Sequence, residues 1–202
     1  MTSGRVIVLS APSGSGKGTV IGKLLKINPN ISPSISYTSR EPRSGELNGI
    51  HYYFVSKTIF RQMIDNGGFI EWDIYQGDYY GTRKENIHKL IDSGADVIFD
   101  ITIKGAYAIK KHFPQSALVF LLPPSFEELE KRLRNRGTES ESKIIGRLKE
   151  ARGEIQSLEM FDYYIVNEDA EGAALQLNAI ITAEKCRIFT DEAADIMRRI
   201  IK

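Results

Sequence analysis

The stretch Arg5-Val-Ile-Val-Leu-Ser-Ala-Pro-Ser-Gly-Ser-Gly-Lys-Gly-Thr19 decides the fold that we predict for this chain. It opens with Val6 to Leu9, an uninterrupted apolar run that is typical of a strand buried on both faces. The glycines of Ser13-Gly-Ser-Gly16 allow a tight turn, because glycine adopts backbone conformations that other residues resist. An amphipathic run from Val20 to Lys26 follows. The stretch therefore predicts a strand, a glycine-rich turn and a helix.

The turn has the features of a phosphate-binding loop. Backbone N–H groups at a helix start, with Lys17 beside them, form a cradle for phosphate oxygens. The pattern resembles the P-loop G-x-x-x-x-G-K-[ST], but Ala11 replaces the first glycine and Gly18 replaces the hydroxyl residue that usually holds magnesium. The sub-pattern Gly14-x-Gly16-Lys17-Gly18-Thr19 is similar to that of nucleoside monophosphate kinases, where the ion depends more on water and phosphate.

The alternative is a glycine-rich turn that binds no ligand, but the register of Lys17 at the helix start favours a nucleoside triphosphate. We call residues 11–19 the phosphate turn. The residues predicted to contact the triphosphate are Ala11, Pro12, Ser13, Gly14, Ser15, Gly16, Lys17, Gly18 and Thr19.

Composition narrows the class of protein. The chain has 202 residues, enough for one good core with small inserted lobes. Its net charge of +1 argues against a general nucleic-acid or membrane-surface binder. The single cysteine, Cys186, excludes an internal disulfide framework, and no apolar run or leader suggests a membrane span or a signal peptide. We expect a cytoplasmic enzyme, a monomer or a homodimer, with no nucleic-acid or membrane partner.

The rest of the chain alternates strands and helices, with one interruption. Val97 to Asp100 and Leu118 to Leu122 are apolar runs separated by a helical segment, a spacing that predicts parallel strands. We therefore expect an α/β fold: a three-layer α/β/α P-loop core with a parallel sheet, formed by residues 1–34, 84–124 and 158–202. A polar stretch rich in glycine and proline interrupts the alternation, so we predict an inserted lobe at 35–83 and a helical lid at 125–157.

Three local predictions concern the interruption and its borders. Ile31 to Pro33 is predicted to be a loop, and alternation around Tyr52 and Phe54 predicts a small antiparallel sheet. Residues 77–81 are predicted to turn into a helix that begins after Thr82, with Thr82-Arg-Lys-Glu85 as its capping box.

The inserted stretch carries side chains that suit a guanine nucleotide. Arg40 and Arg43 flank a rigid Glu-Pro pair and could clamp a phosphate dianion, although an exposed polar loop with incidental arginines is the alternative. Guanine presents N1–H and the N2 amino group together, which an ionised Glu71 could accept, while Thr82 or Ser36 could donate to O6. Adenine would leave buried acceptors unpaired in such a site.

Three further residues have two interpretations. Tyr52 and Tyr80 could reach phosphate through their hydroxyls, or they could be ordinary core aromatics. Asp100 ends a buried strand at the edge where α/β sheets bind ligands, so it could hold a magnesium-bound water or contact the monophosphate. The alternative for Asp100 is a helix cap.

Taken together, these residues resemble guanylate kinase over nearly the whole chain. The resemblance rests on the motifs Ser10-Ala-Pro-Ser-Gly-Ser-Gly-Lys17, Ser36-Tyr-Thr-Ser-Arg40-Glu-Pro-Arg43-Ser-Gly-Glu46, Phe69-Ile-Glu71-Trp72, Tyr79-Tyr80-Gly81-Thr82 and Ile165-Val-Asn167. It implies a P-loop kinase of purine nucleotide metabolism that moves the γ-phosphoryl group of ATP to GMP, with Mg²⁺ as cofactor.

The resemblance also implies roles for individual residues. The GMP site would comprise Ser36, Arg40, Arg43, Tyr52, Glu71, Tyr80, Gly81, Thr82 and Asp100. The residues acting on the transferring phosphate would be Lys17, Arg40, Arg132 and Arg147. Arg136 of the lid and Asn167 would belong to the ATP side, and Mg²⁺ would be held by phosphates, water and Asp100. The family usually shows Asp-x-Asp where this chain reads Asp100-Ile-Thr102, which puts the role of the second carboxylate in doubt.

Three rival interpretations stay open from the sequence. The chain could phosphorylate a monophosphate of another base, or it could be a non-catalytic guanylate-kinase-like module that binds partner peptides. Such modules have a degraded phosphate loop, whereas Gly14, Gly16 and Lys17 are all present here. A bare ATPase would not explain so many arginines suited to phosphate.

Overall fold

The computed structural model describes residues 4–75, 77–135 and 140–201, which form two sheets surrounded by helices. The strands are β1 (Val6–Ser10), β2 (Ile31–Pro33), β3 (Tyr37–Thr38), β4 (Tyr53–Phe54), β5 (Phe69–Tyr75), β6 (Asp78–Arg83), β7 (Asp96–Asp100), β8 (Ala117–Leu122) and β9 (Tyr163–Val166). The helices are α1 (Lys17–Ile27), α2 (Lys57–Asp65), α3 (Lys84–Asp92), α4 (Ile103–His112), α5 (Phe126–Asn135), α6 (Glu141–Ile155), α7 (Ala170–Lys185) and α8 (Thr190–Ile200), with a 3₁₀ turn at Gln156–Met160.

The larger sheet is parallel and has the order β2-β7-β1-β8-β9. Every residue of β1 is buried, because successive side chains enter opposite cores. Ile7 and Leu9 pack with α1 and α7, whereas Val6 and Val8 pack with α3 and α4. This parallel sheet flanked by helices confirms the predicted α/β fold. The predicted loop at 31–33 is wrong: it is the edge strand β2, where Pro33 is tolerated because an edge strand has unpaired N–H positions.

The smaller sheet has the order β4-β3-β6-β5, and all its strands lie between residues 37 and 83. It is mixed rather than purely antiparallel, since β3 pairs parallel with β4 and antiparallel with β6. The predicted turn at 77–81 is also wrong. Gly77, at φ +85°, makes a tight turn, and the chain continues as β6 alongside β5.

The N-termini of three helices show which residues act as helix caps. Thr82 does not cap α3, because the helix starts after Arg83, and the Thr82 hydroxyl donates to the Glu71 carboxylate instead. Thr102 caps α4 by accepting from the Gly105 N–H at 3.2 Å. Ser125 caps α5 by accepting from the Glu128 N–H at 3.1 Å, which is the N-cap bond of a capping box. Among the described residues, no helix is long and apolar enough to cross a membrane.

Candidate active site

A cleft of about 700 Å³ opens between the phosphate turn, the carboxyl ends of β1 and β7, the smaller sheet and α6. All nine residues of the phosphate turn line it. The remaining lining residues are Ser36, Tyr52, Glu71, Asp73, Ile74, Tyr75, Tyr80, Gly81, Asp100, Ile101, Thr102, Arg147, Glu150 and Glu154. The structure thus brings most of the predicted site residues from distant parts of the chain to one place.

Two glycines determine the backbone conformation of the phosphate turn, and one side-chain amide holds it by a hydrogen bond. Gly14 and Gly16 have φ values of +99° and +89°, and Gly16 is the residue that precedes α1. The buried Asn167 side chain donates from Nδ2 to the Ser15 carbonyl oxygen at 2.6 Å. A Cβ on Gly16 would lie 2.6 Å from that same Nδ2 atom. Asn167 therefore holds the turn from behind and is not among the residues lining the cleft.

Lys17 and Asp100 meet at the mouth of the turn. Lys17 Nζ lies 2.9 Å from Asp100 Oδ1 and donates to the Ile101 carbonyl oxygen at 2.7 Å. The main-chain register explains the meeting, since Leu9 of β1 lies beside Asp100 of β7. The helix-cap alternative for Asp100 is wrong, because Thr102 caps the following helix.

The residues around Lys17 and Asp100 could hold a magnesium ion only weakly by themselves. Among the described residues, no three histidine, cysteine, aspartate or glutamate side chains are grouped so that they could hold a metal ion. Asp100 contributes one carboxylate, 48% exposed, next to Lys17. Mg²⁺ commonly keeps several waters and uses one or two carboxylates together with substrate phosphates. The donor set therefore suits an ion that arrives with a nucleotide.

Glu71 lies on the opposite wall of the cleft in a desolvated position. Burial raises the pKa of its carboxyl group, while the hydrogen bond from the Thr82 hydroxyl, at 2.6 Å, opposes that rise. The first turn of α4 packs close behind, since a Cβ on Gly105 would lie 3.4 Å from Glu71 Oε2. Tyr52 and Tyr80 stand edge to face on the same wall, with ring centroids 6.0 Å apart. This wall presents a carboxylate acceptor and two phenol rings to a ligand.

The two arginines of the predicted clamp lie outside the cleft lining. Arg40 donates from one nitrogen, Nη2, to both carboxylate oxygens of Glu46 at 2.8 and 2.9 Å, and its guanidinium lies 5.6 Å from the centroid of the Tyr52 ring. Glu46 also accepts from the backbone N–H of Arg43, at 2.7 Å, and the Arg43 side chain is exposed. Glu46 organises this loop and was not assigned a role from sequence, although its position three residues after Arg43 was a visible signal.

The lid arginines are placed differently from one another. Arg147 donates to Ser13 Oγ and lines the cleft. Arg132 lies farther out, where it bonds Glu128 at 3.1 Å and the Asn167 carbonyl oxygen at 3.0 Å. Arg136 lies outside the described residues. One predicted lid arginine is thus already in contact with the phosphate turn.

Sequence reasoning missed three carboxylates of the cleft, Asp73, Glu150 and Glu154, two of which have a readable spacing. Asp73 lies two residues after Glu71 on β5 and pairs with Lys104 Nζ at 2.9 Å. Glu154 lies seven residues after Arg147 on α6. Both spacings place the residue on the same face as a predicted partner, so the period of the strand or helix could have identified them.

Comparisons with known proteins agree with the geometry. A sequence model described as guanylate kinase matches residues 3–184. The guanylate kinase of Carboxydothermus hydrogenoformans is 46% identical over 187 residues, which is 93% of this chain and 92% of the relative. The guanylate kinase of Aromatoleum aromaticum is 45% identical over 184 residues, or 91% of this chain and 90% of the relative.

Two solved structures are also similar. The crystal structure of guanylate kinase from Anaplasma phagocytophilum has a TM-score of 0.75 at 35% identity and covers 92% of this chain and 88% of its own. The SH3-kinase fragment of tight junction protein 3 has a TM-score of 0.52 at 11% identity, with coverage of 93% and 60%. The second likeness concerns the fold alone.

Proposed function

Since the chain belongs to the guanylate kinase family, it transfers the γ-phosphoryl group of ATP to GMP, releasing ADP and GDP, and we propose how the cleft performs this reaction. The observation that carries the proposal is the position of Glu71, desolvated and bonded to Thr82, across one cleft from Lys17 and the phosphate turn. The two walls suit two different nucleotides.

The wall formed by the smaller sheet binds GMP in this proposal. The ionised Glu71 accepts from guanine N1–H and from the N2 amino group, and the Ser36 hydroxyl donates to O6, because the single Thr82 hydroxyl proton is donated to Glu71. Tyr52 and Tyr80 donate their hydroxyls to the monophosphate, and Arg43, already exposed, turns toward it. Arg40 donates to Glu46 from a single nitrogen, and it reaches the phosphate by exchanging that carboxylate for it, since a guanidinium can donate to a phosphate from two nitrogens at once.

The phosphate turn binds the triphosphate of ATP. Its N–H groups at the start of α1 face the phosphate oxygens, and Lys17 moves from Asp100 onto the β- and γ-phosphates. Asn167 contributes by holding the turn in shape. On the basis of the family resemblance, we assign Asn167 and Arg136 to the binding of the adenine end of ATP.

Transfer needs alignment and positive charge rather than a covalent enzyme intermediate. An oxygen of the GMP phosphate attacks the γ-phosphorus as the bond to the β-phosphate oxygen breaks, and ADP leaves. Arg147 and Arg132 add positive charge to the equatorial oxygens, together with Lys17 and Arg40. We propose Mg²⁺ as the cofactor; it neutralises phosphate charge when bound, and Asp100 would hold it through water.

The parts of the chain that we propose to move are the two inserted segments expected from the sequence. We assign residues 35–83 to GMP binding, residues 125–157 to the lid, and the remainder to the core. Closure of both parts would exclude water, which otherwise accepts the phosphoryl group. We place the protein in the cytoplasm because its single cysteine suits a reducing compartment, and we expect a monomer or a homodimer.

Two charge-removing variants test the assignment of the two walls. Lys17→Ala should weaken the binding of a non-hydrolysable ATP analogue by at least about tenfold and leave GMP binding within about twofold, because it removes a charge-assisted contact to ATP alone. Arg43→Ala should show the reverse pattern. Isothermal titration calorimetry measures both affinities for both variants. Weakening of the same nucleotide by both variants would contradict the assignment.

A further inference from the structure

One carboxylate of the cleft has no part in the reaction described above. Glu154 lies near the end of α6, half-buried against the phosphate turn. The backbone N–H of Ser13 lies close to its carboxyl group and favours the ionised form. The Oε2 oxygen of Glu154 is buried and has no hydrogen-bond partner among the described residues. A buried carboxylate with an unpaired oxygen is costly, so a role that offsets this cost is expected.

Glu154 and Arg147 act on the same residue of the turn. Seven residues are about two helical turns, so the two side chains lie on one face of α6. Arg147 donates to the Ser13 hydroxyl, and the Glu154 carboxyl group lies near the Ser13 N–H. One face of α6 therefore meets both the side chain and the main chain of Ser13.

The surroundings of Glu154 disfavour its ionised form. Burial raises the pKa of the carboxyl group, the N–H of Ser13 opposes that rise, Glu150 on the same helix adds to it, and Lys17 on α1 opposes it. Arg147 is the other charged group of α6 that lines the cleft on this side. A triphosphate in the cleft would add several negative charges close to this carboxylate and would make ionisation still less favourable.

We propose that Glu154 is a positioning residue that fixes Ser13 of the phosphate turn to α6 and takes up a proton from solvent when a nucleoside triphosphate enters the cleft. Protonation removes the repulsion between carboxylate and phosphate, and a carboxyl oxygen can still accept from the Ser13 N–H. The proposal rests on the proposed binding of ATP, but it does not depend on phosphoryl transfer to GMP.

Three variants separate the two parts of the proposal. Glu154→Gln keeps an acceptor for Ser13 but cannot take up a proton. Glu154→Ala loses both properties. Glu150→Gln is the matched control, because it removes the same charge from the same helix and the same cleft. Thermal melting would first establish that each variant is folded.

The measurement is calorimetric titration with the β,γ-imido analogue of ATP, without GMP, in buffers of different ionisation enthalpy between about pH 5 and about pH 8. The phosphates of the nucleotide also titrate, so the proton uptake of each variant is compared with that of the unmodified protein. We expect Glu154→Gln to take up fewer protons. Glu150→Gln should still take up protons, but at lower pH than the unmodified protein, because it removes a neighbouring charge that raises the pKa of Glu154. We also expect Glu154→Ala to bind the analogue about tenfold more weakly than Glu154→Gln.

Equal proton uptake by the unmodified protein and Glu154→Gln would overturn the proton-linked role. Equal affinities of Glu154→Gln and Glu154→Ala would overturn the positioning role. A protein that bound the analogue as expected but failed to phosphorylate GMP would leave this proposal supported and the proposed function contradicted.

Discussion

Glu71 and Thr82 stand opposite each other on β5 and β6, and this pair lies in the wall that we propose for base binding. The Thr82 hydroxyl uses one oxygen of the carboxylate, and the wall of the cleft desolvates the group. The arrangement costs stability in the free protein, since a desolvated carboxylate is less stable ionised than an exposed one. We interpret that cost as a consequence of keeping an acceptor ready for guanine.

Glu71→Gln should lower kcat/KM for GMP by roughly 100- to 1000-fold, because an amide offers N–H where guanine also offers N–H. The melting temperature at neutral pH should stay the same or rise, because the variant buries no charge. Steady-state kinetics and thermal melting measure the two effects. Asp73→Asn is the control on the same strand; its ion pair with Lys104 is largely exposed, so we expect only a small effect on either quantity. An equal loss of GMP turnover in both variants would contradict the role of Glu71.

The raised pKa of Glu71 also predicts how GMP binding depends on pH. The ionised form accepts from guanine, so affinity should fall as the pH drops toward the raised pKa, at higher pH than for an ordinary glutamate. Calorimetric GMP titrations across the acidic range measure this dependence, and Glu71→Gln should abolish the Glu71 component. Affinity that stays constant down to the usual glutamate range, near about pH 4.3, would contradict the prediction.

The ionisation of Glu71 should favour GMP binding but lower the stability of the fold. The pKa is higher in the folded than in the unfolded state, so ionisation destabilises the fold as the pH rises through these values. Any advantage in melting temperature of Glu71→Gln over the unmodified protein should therefore be present at neutral pH. It should shrink in acid, where Glu71 is protonated in both states.

At the scale of elements, α6 connects the predicted lid with the phosphate turn, because Arg147 donates to Ser13. It carries Arg147 and Glu154, and each is preceded directly by a glycine, Gly146 and Gly153. Glycine weakens a helix interior relative to alanine by about 1 kcal/mol. A Cβ at either glycine would have no atom within 4 Å, so substitution costs nothing in packing.

Gly146→Ala and Gly153→Ala should each raise the melting temperature by about 2–4 °C, because alanine reduces the entropy lost when the helix forms. Gly22→Ala in α1 is the matched control, since that position is also open, and it should give a similar gain. Differential scanning calorimetry measures all three. A lower melting temperature for either α6 variant, with a gain at Gly22, would mean that α6 needs its glycines for a strained or alternative conformation.

The elements also show what the sequence could and could not predict. The core strands were identified because uninterrupted apolar runs such as Val97-Ile-Phe99 are typical of strands buried on both faces, and the capping box at Ser125 acts locally. Thr82 has the spacing of a helix cap, but its hydroxyl pairs with a residue eleven positions earlier, which only the pairing of β5 and β6 brings near. The edge strand β2 was missed because three residues give too little pattern.

For the site as well, residues with a local sequence signal were predicted, and contacts between distant parts of the chain were not. The phosphate turn and Glu71 were identified from motifs, and both line the cleft. The sequence could not predict that Glu46 holds Arg40 or that Asn167 holds the phosphate turn. Both contacts depend on how the loops pack. Glu154 was missed although its spacing from Arg147 was readable.

At the scale of the whole molecule, two sheets meet at one cleft, and we propose that each side of it binds one of the two substrates. The smaller sheet and the core are linked beside the cleft by the ion pair between Asp73 and Lys104 and by the packing of Glu71 on Gly105. Phosphoryl transfer needs both walls, whereas GMP binding needs only the one formed by the smaller sheet.

Removal of Mg²⁺ should therefore separate binding from turnover. With excess chelator, turnover should fall below detection, because the phosphates lose the ion that neutralises their charge. GMP affinity should change by less than about twofold, since no GMP contact in the proposed site uses the ion. A coupled assay and a GMP titration in the same buffer measure the two quantities. Readdition of Mg²⁺ should restore turnover, and undiminished turnover in chelator would contradict the cofactor assignment.

The most direct test of the account is an ADP-release assay with ATP and Mg²⁺ that compares GMP with AMP, CMP and UMP as acceptors. We predict turnover with GMP and none above the ATP-only background with the other three, because only guanine presents N–H donors on two adjacent nitrogens, N1 and N2, to Glu71. Turnover with another monophosphate and not with GMP would contradict the assignment of Glu71. Folded protein without activity on any acceptor would contradict the kinase function itself.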